Sequence, residues 1–312
     1  MGLMIEGTYH AEDPGPDTQL DGEFQRQRAT IRNWITADGP FTPDAVRYHL
    51  YAAWNCPWAH RVLLVLALKN LPITVSYARP RRTADGWIYD AEGPFADALM
   101  GVASLHEVYA RARPAYTGRI TVPLLWDRET DSAVSNESAD IVRMLARQFP
   151  GGPELCPPDL EEEIDRWNAL IYARVNNGVY RAGFARTQEA YDTGVTALFE
   201  TLDEIEARLA TARYLCGDRF TEADLRLFPT LARFDVAYHY AFKCNIRRIQ
   251  DYPHLWGCAR EIYAMPGVAG TVTPEIYKQG YFSKSPLRNP LGIVPAGPVV
   301  DWSGPHERHL IG

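Results

Sequence analysis

The 312-residue sequence lacks the apolar segments that direct a chain to a membrane. It contains no run of about 18 apolar residues, the minimum for a membrane-spanning helix. Residues 1–30 are polar and acidic, without the apolar core of a signal peptide. We therefore expect a cytoplasmic protein that does not have a membrane as its partner.

Cysteine is scarce and shows no pattern that would pair it or bind a metal. The five cysteines, at positions 56, 156, 216, 244 and 258, are odd in number and lack CxxC spacing, and the histidines do not complete a zinc pattern. These absences argue against a disulfide framework and against a metal site. They predict a protein of a reducing compartment.

The sequence also lacks an excess of positive charge. Its 32 basic residues face 39 acidic ones, for a net charge of -7. Proteins that bind nucleic acid or anionic lipid usually carry a basic surface. We therefore expect a small-molecule partner and no nucleic acid.

One cysteine stands out by its position at the start of a predicted helix. The segment Val46 to Ala52 alternates polar and apolar residues, as a half-buried strand does, and Pro57 suits the first position of a helix. Cys56 then lies at or beside the N-cap, where unpaired amides and the helix dipole favour a thiolate. Cys56 is a candidate nucleophile, but a small buried apolar residue fits the same local pattern.

The first half of the chain predicts an α/β domain. We expect an extended arm over residues 1–45, without regular structure, and a thioredoxin-like domain over residues 46–150 with a long irregular insertion at residues 80–118. The elements predicted in this domain, from their residue patterns, are strand 46–52, helix 58–70, strand 73–79, strand 124–127, strand 133–135 and helix 138–148. A linker rich in proline and glycine follows.

The second half predicts an all-α domain over residues 159–266 and a C-terminal extension, mainly coil, over residues 267–312. Apolar residues recur at helical spacing in four segments. These predicted helices are 160–176, 187–212, 221–242 and 253–265.

Several short motifs, read together, resemble the Xi class of glutathione transferases, also called glutathionyl-hydroquinone reductases. The resemblance extends from about residue 20 to residue 298. The motifs that carry it are Cys56-Pro57-Trp58-Ala59-His60-Arg61, Gly118-Arg119-Ile120-Thr121-Val122-Pro123-Leu124-Leu125-Trp126-Asp127, Ser135-Asn136-Glu137-Ser138, Asn176-Asn177-Gly178-Val179-Tyr180-Arg181-Ala182-Gly183-Phe184-Ala185, Tyr214-Leu215-Cys216-Gly217-Asp218, Phe242-Lys243-Cys244-Asn245 and Asn289-Pro290.

The resemblance implies the glutathione transferase fold, a homodimer and glutathione as co-substrate, with no metal. It implies glutathione-binding roles for Trp87, Arg119, Val122, Glu137 and Ser138. From the residues alone, Glu137 and Ser138 at a helix start could hold the charged ends of a γ-glutamyl group, or they could form an ordinary solvated cap.

The bond between Val122 and Pro123 also has two interpretations. A cis proline would expose the backbone of Val122 to an extended thiol peptide, whereas a trans proline would simply open an edge strand. The resemblance implies the cis form.

Tyrosines are the candidate residues for the pocket that binds the aromatic substrate. The resemblance places Tyr180 and Tyr281 around the aromatic substrate, where their hydroxyls can bind a phenolic oxygen. Tyr172 precedes Tyr180 by eight residues, about two helical turns, so both would face one substrate pocket if the helix were continuous. Packing is the usual role of a tyrosine and is the alternative for each of them.

Together these motifs imply a reductase that cleaves glutathionyl-hydroquinones through a mixed disulfide between Cys56 and glutathione. Two other functions are open: a transferase or lyase that uses glutathione or another thiol such as mycothiol, and a non-catalytic protein that binds glutathione or another ligand. The sequence departs from the family at Asn55, Gly280 and Phe282. Asn55 would add an amide to the substrate pocket beside the thiol.

Overall fold

The computed structural model describes residues 2–12 and 21–311, which divide into two compact units. The first unit takes residues 2–12 and 28–151 of the described chain, and the second takes 21–27 and 152–311. No helix in the described ranges is long and apolar enough to cross a membrane.

The first unit is built on a mixed sheet. Its strands in the described chain are β1 (Leu3–Ile5), β2 (Thr8–His10), β3 (Tyr48–Ala52), β4 (Thr74–Tyr77), β5 (Gly118–Arg119), β6 (Leu124–Asp127) and β7 (Ser132–Ser135). The main sheet has the order β4-β3-β6-β7, in which β3 and β4 run parallel and the other pairs antiparallel. This confirms the predicted thioredoxin-like layout.

Three helices accompany this sheet in the described part of the first unit: α1 (Pro57–Lys69), α2 (Leu105–Ala112) and α3 (Ser138–Gln148). Helices α1 and α3 contact each other. The strand residues Leu50, Leu124 and Leu125 are fully buried, as is Val62 of α1. The core of the unit therefore includes the sheet and α1.

The N-terminal region differs from the predicted arm in two respects. Strand β1 pairs antiparallel with both β2 and β5, so residues 2–12 form a small sheet with the insertion rather than an irregular arm. Residues 21–27 belong to the second unit and residues 28–45 to the first. The predicted arm of residues 1–45 is therefore not one element. Three-residue strands are too short to give a detectable alternation.

The insertion at residues 80–118 is not irregular throughout, because it contains α2. A capping box begins this helix: Ser104 N donates to Glu107 Oε1 at 2.9 Å, and the Ser104 side chain caps the N3 amide. Leu105, Val108 and Tyr109 form its buried face. This is an S-x-x-E signal followed by apolar residues at helical spacing.

The second unit is helical. Its helices in the described chain are α4 (Glu161–Ile171), α5 (Gly178–Phe184), α6 (Gln188–Leu209), α7 (Glu222–Arg233), α8 (His239–Ala241), α9 (Pro253–Ala264) and α10 (Pro274–Tyr281). A capping box begins α7, with Asp224 Oδ2 accepting from Thr221 N at 3.0 Å. The predicted all-α character is confirmed.

Two predicted helices are interrupted by π-helical turns, at Tyr172–Asn176 and Phe234–Tyr238. A π turn adds a residue to the helical repeat, so residues on either side no longer share a face at α-helical spacing. Tyr172 is 43% exposed. The spacing argument that put Tyr172 on the same face as Tyr180 therefore fails, although its assignment to the substrate pocket stays a prediction.

The C-terminal extension is also more ordered than predicted. It contains α10 and a 3-10 turn at Arg308–Leu310. The buried guanidinium of Arg308 donates to the carbonyl oxygens of Leu209, Ala212 and Arg213 at 2.6–2.7 Å. Through these bonds the extension closes the carboxyl end of α6, where free carbonyls and the helix dipole favour a cation.

Candidate functional site

Cys56 is the N-cap of α1, as predicted. Its backbone is extended (φ -86°, ψ 118°), and Pro57 occupies the first helical turn. The residue is 8% exposed, and its Sγ lies 3.4 Å from the carbonyl oxygen of Val122. The thiol thus lies at the amino end of α1 and faces the carbonyl of Val122.

The segment that faces Cys56 contains a cis peptide bond between Val122 and Pro123. This confirms the cis form over the trans alternative. Thr121, the residue before Val122, is held by α2, because Tyr109 Oη of that helix donates to the Thr121 carbonyl at 2.8 Å. The overlooked helix α2 therefore supports the segment that contacts the thiol.

Asn55 lies next to the thiol but is turned towards the insertion. It is buried, and its Nδ2 donates to the Pro80 carbonyl at 3.1 Å. This bond joins the turn before α1 to the start of the insertion. The assignment of Asn55 to the substrate pocket stays a prediction.

The start of α3 carries Glu137 and Ser138, and their predicted roles in glutathione binding stay predictions. Glu137, not Ser138, caps the helix: its side chain accepts from Ala139 N at 3.0 Å. Ser138 is buried, and its Oγ accepts from Arg61 Nη1 at 3.4 Å. The start of α3 thus combines the capping carboxylate of Glu137 with the hydroxyl of Ser138, which is bound by the buried Arg61. The Arg61 guanidinium also lies 4.6 Å from the centroid of the Trp58 ring.

Trp87 is buried in the insertion, 2% exposed, with the Arg82 guanidinium 4.2 Å from its ring centroid. Within the described residues, its indole Nε1 has no hydrogen-bond partner. A buried donor without an acceptor is costly, and such groups call for a specific explanation. A ligand that brings an acceptor to this nitrogen would supply one.

Arg119 lies in β5, and its backbone pairs with Leu3 of β1. Its carbonyl accepts from Tyr116 Oη at 3.1 Å. The small N-terminal sheet therefore positions Arg119. No pattern in the sequence indicated that residues 2–12 and this arginine are connected.

In the second unit, Tyr180 and Tyr281 are brought together as parts of one hydroxyl cluster. The two Oη atoms are 2.9 Å apart, and the Oη of Tyr238 lies 2.9 Å from that of Tyr281. Three hydroxyls carry three hydrogens, and two are used within the cluster. The third is the one that the cluster can donate to an outside oxygen.

Sequence reasoning missed Tyr238, which is fully buried. It stands in an apolar helical segment, where a tyrosine gives the same signal as a core residue. Burial raises the pKa of Tyr238 and of Tyr281 well above the ordinary tyrosine value, and the Arg233 guanidinium opposes this shift. Both hydroxyls therefore stay protonated at neutral pH and can donate hydrogen bonds.

Three other cysteines, Cys216, Cys244 and Cys258, are also buried. Burial raises the pKa of the Cys216 thiol to about 11, and it also raises the pKa values of Cys244 and Cys258. This supports a structural role for these three residues. Among the described residues, no group of three or more His, Cys, Asp or Glu side chains is arranged to hold a metal ion.

The structure shows the surroundings of two of the residues at which the sequence departs from the family. Gly280 lies in α10, one residue before Tyr281, and Phe282 is buried with its ring 5.6 Å from that of Tyr240. Phe282 offers no hydroxyl to the cluster. The hydroxyl cluster is thus formed by Tyr180, Tyr238 and Tyr281.

Comparison with known proteins gives two family matches. Residues 55–148 match the model described as "Glutathione S-transferase, N-terminal domain", and residues 188–257 match "Glutathione S-transferase, C-terminal domain". The first match begins at Asn55 and ends at the last residue of α3.

Similar proteins extend over nearly the whole chain. Glutathionyl-hydroquinone reductase YqjG of Escherichia coli (strain K12) is 44% identical, with 99% of each chain covered, and glutathionyl-hydroquinone reductase PcpF of Sphingobium chlorophenolicum is 44% identical, with 97% and 98% covered. The Xi class glutathione transferase structure from Natrialba magadii is 41% identical, with a TM-score of 0.92 and coverage of 100% and 97%. The glutathione-bound structure of YqjG is 42% identical, with a TM-score of 0.89 and coverage of 98% and 99%.

Proposed function

This chain belongs to the Xi class of glutathione transferases, the family of the glutathionyl-hydroquinone reductases, and we propose that it is a glutathione-dependent reductase of aromatic thioethers. Its substrates are conjugates of the glutathionyl-hydroquinone type. The observation that carries this proposal is the thiol of Cys56 at the N-cap of α1, 3.4 Å from the carbonyl of Val122. In a transferase that only makes conjugates, a hydroxyl usually stands where this thiol stands.

We propose that glutathione binds in the first unit as an extended peptide. Its backbone pairs with Val122, and its γ-glutamyl end lies at the start of α3 against Glu137 and Ser138. The α-ammonium suits the Glu137 carboxylate, and the α-carboxylate suits the Ser138 hydroxyl at the positive end of the helix. Trp87 donates its indole N–H to glutathione, and Arg119 contributes a positively charged side chain to the same binding site.

In the first step, the Cys56 thiolate attacks the sulfur of the conjugate. A sulfur–sulfur bond forms between Cys56 and glutathione, and the sulfur–carbon bond to the ring breaks. The substrate reacts as its keto tautomer, so the electron pair of the broken bond moves through the ring to an oxygen. Tyr180 and Tyr281 hydrogen-bond this oxygen, and the hydroquinone leaves after protonation.

In the second step, the thiolate of another glutathione attacks the mixed disulfide. Glutathione disulfide forms, and Cys56 leaves as a thiolate ready for the next cycle. The two electrons that reduce the aromatic product thus come from two sulfur atoms, the thioether sulfur of the conjugate and the thiol of the second glutathione, which end joined in glutathione disulfide. We further propose a homodimer in the cytoplasm, where glutathione keeps thiols reduced.

Replacement of the nucleophile tests this mechanism. Cys56→Ser should lose reductase activity with the glutathione conjugate of 1,4-hydroquinone by at least about 1000-fold, because a serine hydroxyl cannot form the mixed disulfide. Incubation of the wild-type protein with conjugate should add about 305 Da to Cys56, as measured by mass spectrometry of the intact protein and its peptides.

Matched control variants are Cys216→Ser and Cys258→Ser, since these buried thiols should be dispensable for the chemistry. Full turnover by Cys56→Ser would contradict the mechanism. Conjugate synthesis without cleavage would identify a transferase, with mycothiol tested in parallel, and tight glutathione binding without any turnover would identify a non-catalytic binding protein.

A further inference from the structure

Residues 21–27, which we call the strap, lie along α5 in the second unit. Arg186 N donates to the Gly22 carbonyl at 3.0 Å, and Arg181 Nη2 is paired with the Glu23 carboxylate at 3.1 Å. The Phe24 ring centroid is 5.3 Å from that of Phe184. The strap is therefore fixed to the helix that carries Tyr180 by an ion pair and an aromatic contact, and to the segment just after that helix by a backbone bond.

Arg26 of the strap lies over the Tyr180 ring. Its guanidinium carbon is 4.7 Å from the ring centroid, and its Nε donates to Asn177 Oδ1 at 2.8 Å. Asn177 is the N-cap of α5, three residues before Tyr180. The Arg26 guanidinium is thus held on the π face of Tyr180, and its hydrogen bond to Asn177 fixes the orientation of the guanidinium. The hydroxyl of Tyr180 in turn is hydrogen-bonded to that of Tyr281.

A cation on the face of a phenol ring is attracted to the ring electrons and draws electron density towards itself. The hydroxyl of that phenol then becomes a stronger hydrogen-bond donor. The effect is greatest when its acceptor carries negative charge, as the substrate oxygen does once the sulfur–carbon bond has broken. The arginine would therefore stabilise the transition state more than the bound substrate.

We propose that Arg26 is a positioning residue for the reductase reaction, acting through Tyr180 to strengthen the hydrogen bond to the developing oxyanion. This inference rests on the proposed function for its reaction step, but the coupling of Arg26 to Tyr180 can be measured without turnover. Nothing in the sequence pattern of the predicted arm indicates this role.

The kinetic test compares Arg26→Gln, which removes the charge, with Arg26→Lys, which keeps it. With the hydroquinone conjugate, Arg26→Gln should lower kcat by about 5- to 30-fold and change the KM for glutathione by less than about twofold. Arg26→Lys should recover part of kcat, because an ammonium also interacts with the ring but cannot form the same planar stack.

Arg181→Gln is the matched control, since it removes the ion pair that anchors the strap and leaves Arg26 in place. It should retain kcat near the wild-type value. An equal loss in Arg181→Gln and Arg26→Gln would reduce Arg26 to an anchor of the strap and overturn the proposal, as would wild-type kcat in Arg26→Gln.

The second measurement uses 4-nitrophenolate as a probe, with binding followed by its visible absorption. Arg26→Gln should weaken binding by about 5-fold or more in the wild-type background, and this effect should vanish in the Tyr180→Phe background. Equal effects in both backgrounds, or none in either, would overturn the proposal. Coupling in a protein that does not cleave the conjugate would reject the proposed function and retain the role of Arg26 towards a phenolic oxygen.

Discussion

Trp87 is the residue whose surroundings most directly call for a ligand. Its indole N–H is buried without an acceptor among the described residues, while its ring is held by Arg82. If glutathione accepts from this nitrogen, Trp87→Phe removes one hydrogen bond and keeps the aromatic contact. The KM for glutathione should then rise by about 3- to 10-fold, with kcat at saturation nearly unchanged.

Trp167→Phe is the control for this prediction. The indole nitrogen of Trp167 is also buried without a partner in the described chain, but Trp167 lies in α4 of the second unit. This variant should leave the KM for glutathione unchanged. Steady-state kinetics at varied glutathione concentration measures the KM of both variants. An equal KM for glutathione in Trp87→Phe and Trp167→Phe would show that Trp87 does not bind glutathione.

At the residue scale, the sequence predicted positions that depend on local backbone geometry. Cys56 was recognisable as an N-cap because a strand precedes it and Pro57 follows it. Tyr238 and Arg26 were not recognisable, since their roles arise from contacts with residues far away in the chain. The start of α3 is an intermediate case: its place in the chain was predicted, but the sequence did not decide which of Glu137 and Ser138 caps the helix, and the structure shows that Glu137 does.

Among the elements, β3 contains a buried histidine that links stability to pH. His49 lies between two hydroxyls, with Nδ1 2.6 Å from Thr74 Oγ1 and Nε2 2.9 Å from Ser76 Oγ of β4. Burial lowers the pKa of His49 to about 4, against an ordinary value of 6.5. The folded state therefore favours the neutral ring.

The sign of the pH dependence follows from this shift. Above pH 6.5 the ring of His49 is neutral in both the folded and the unfolded state, and the free energy of unfolding is at its full value. As the pH falls from 6.5 towards 4, this free energy decreases, because the unfolded chain binds the proton more tightly than the folded protein does. The loss attributable to His49 should be about 3 kcal/mol, measured by urea unfolding across this pH range. His49→Gln should flatten the dependence, whereas the exposed His10→Gln should keep the wild-type slope.

Elements with strong local signals were predicted well, and elements that depend on tertiary packing were not. Strand β6 and helix α3 have the predicted bounds, because a short apolar run defines the strand and a clear helix start defines the helix. Helix α2 had a readable capping box at Ser104, but its eight residues were hidden in a segment that also contains loops. The π turn at Tyr172–Asn176 has no sequence signal that distinguishes it from an α-helix.

On the scale of the whole molecule, Arg308 joins the C-terminal extension to the end of α6. Arg308→Met should leave two buried carbonyl groups and one partly buried carbonyl group without their donor, and should cost about 3 kcal/mol. We expect the thermal midpoint to fall by roughly 5 to 10 °C, as measured by circular dichroism. Reductase activity below the transition should be largely retained.

Arg248→Met is the comparison variant, because Arg248 forms an ion pair with Asp251 at the surface. Its midpoint should stay close to that of the wild type, since exposed ion pairs are screened by solvent. An equally small change in Arg308→Met would mean that the extension does not stabilise the second unit.

The strap also has a consequence for the order in which the protein can fold during synthesis. Arg26 and its partner Asn177 are separated by 151 residues, and the chain between them includes residues 28–151 of the first unit. The ribosome therefore delivers the strap long before the helix that receives it. Because contacts between distant segments form slowly, the first unit can fold during translation, whereas the strap must wait for α5 to emerge.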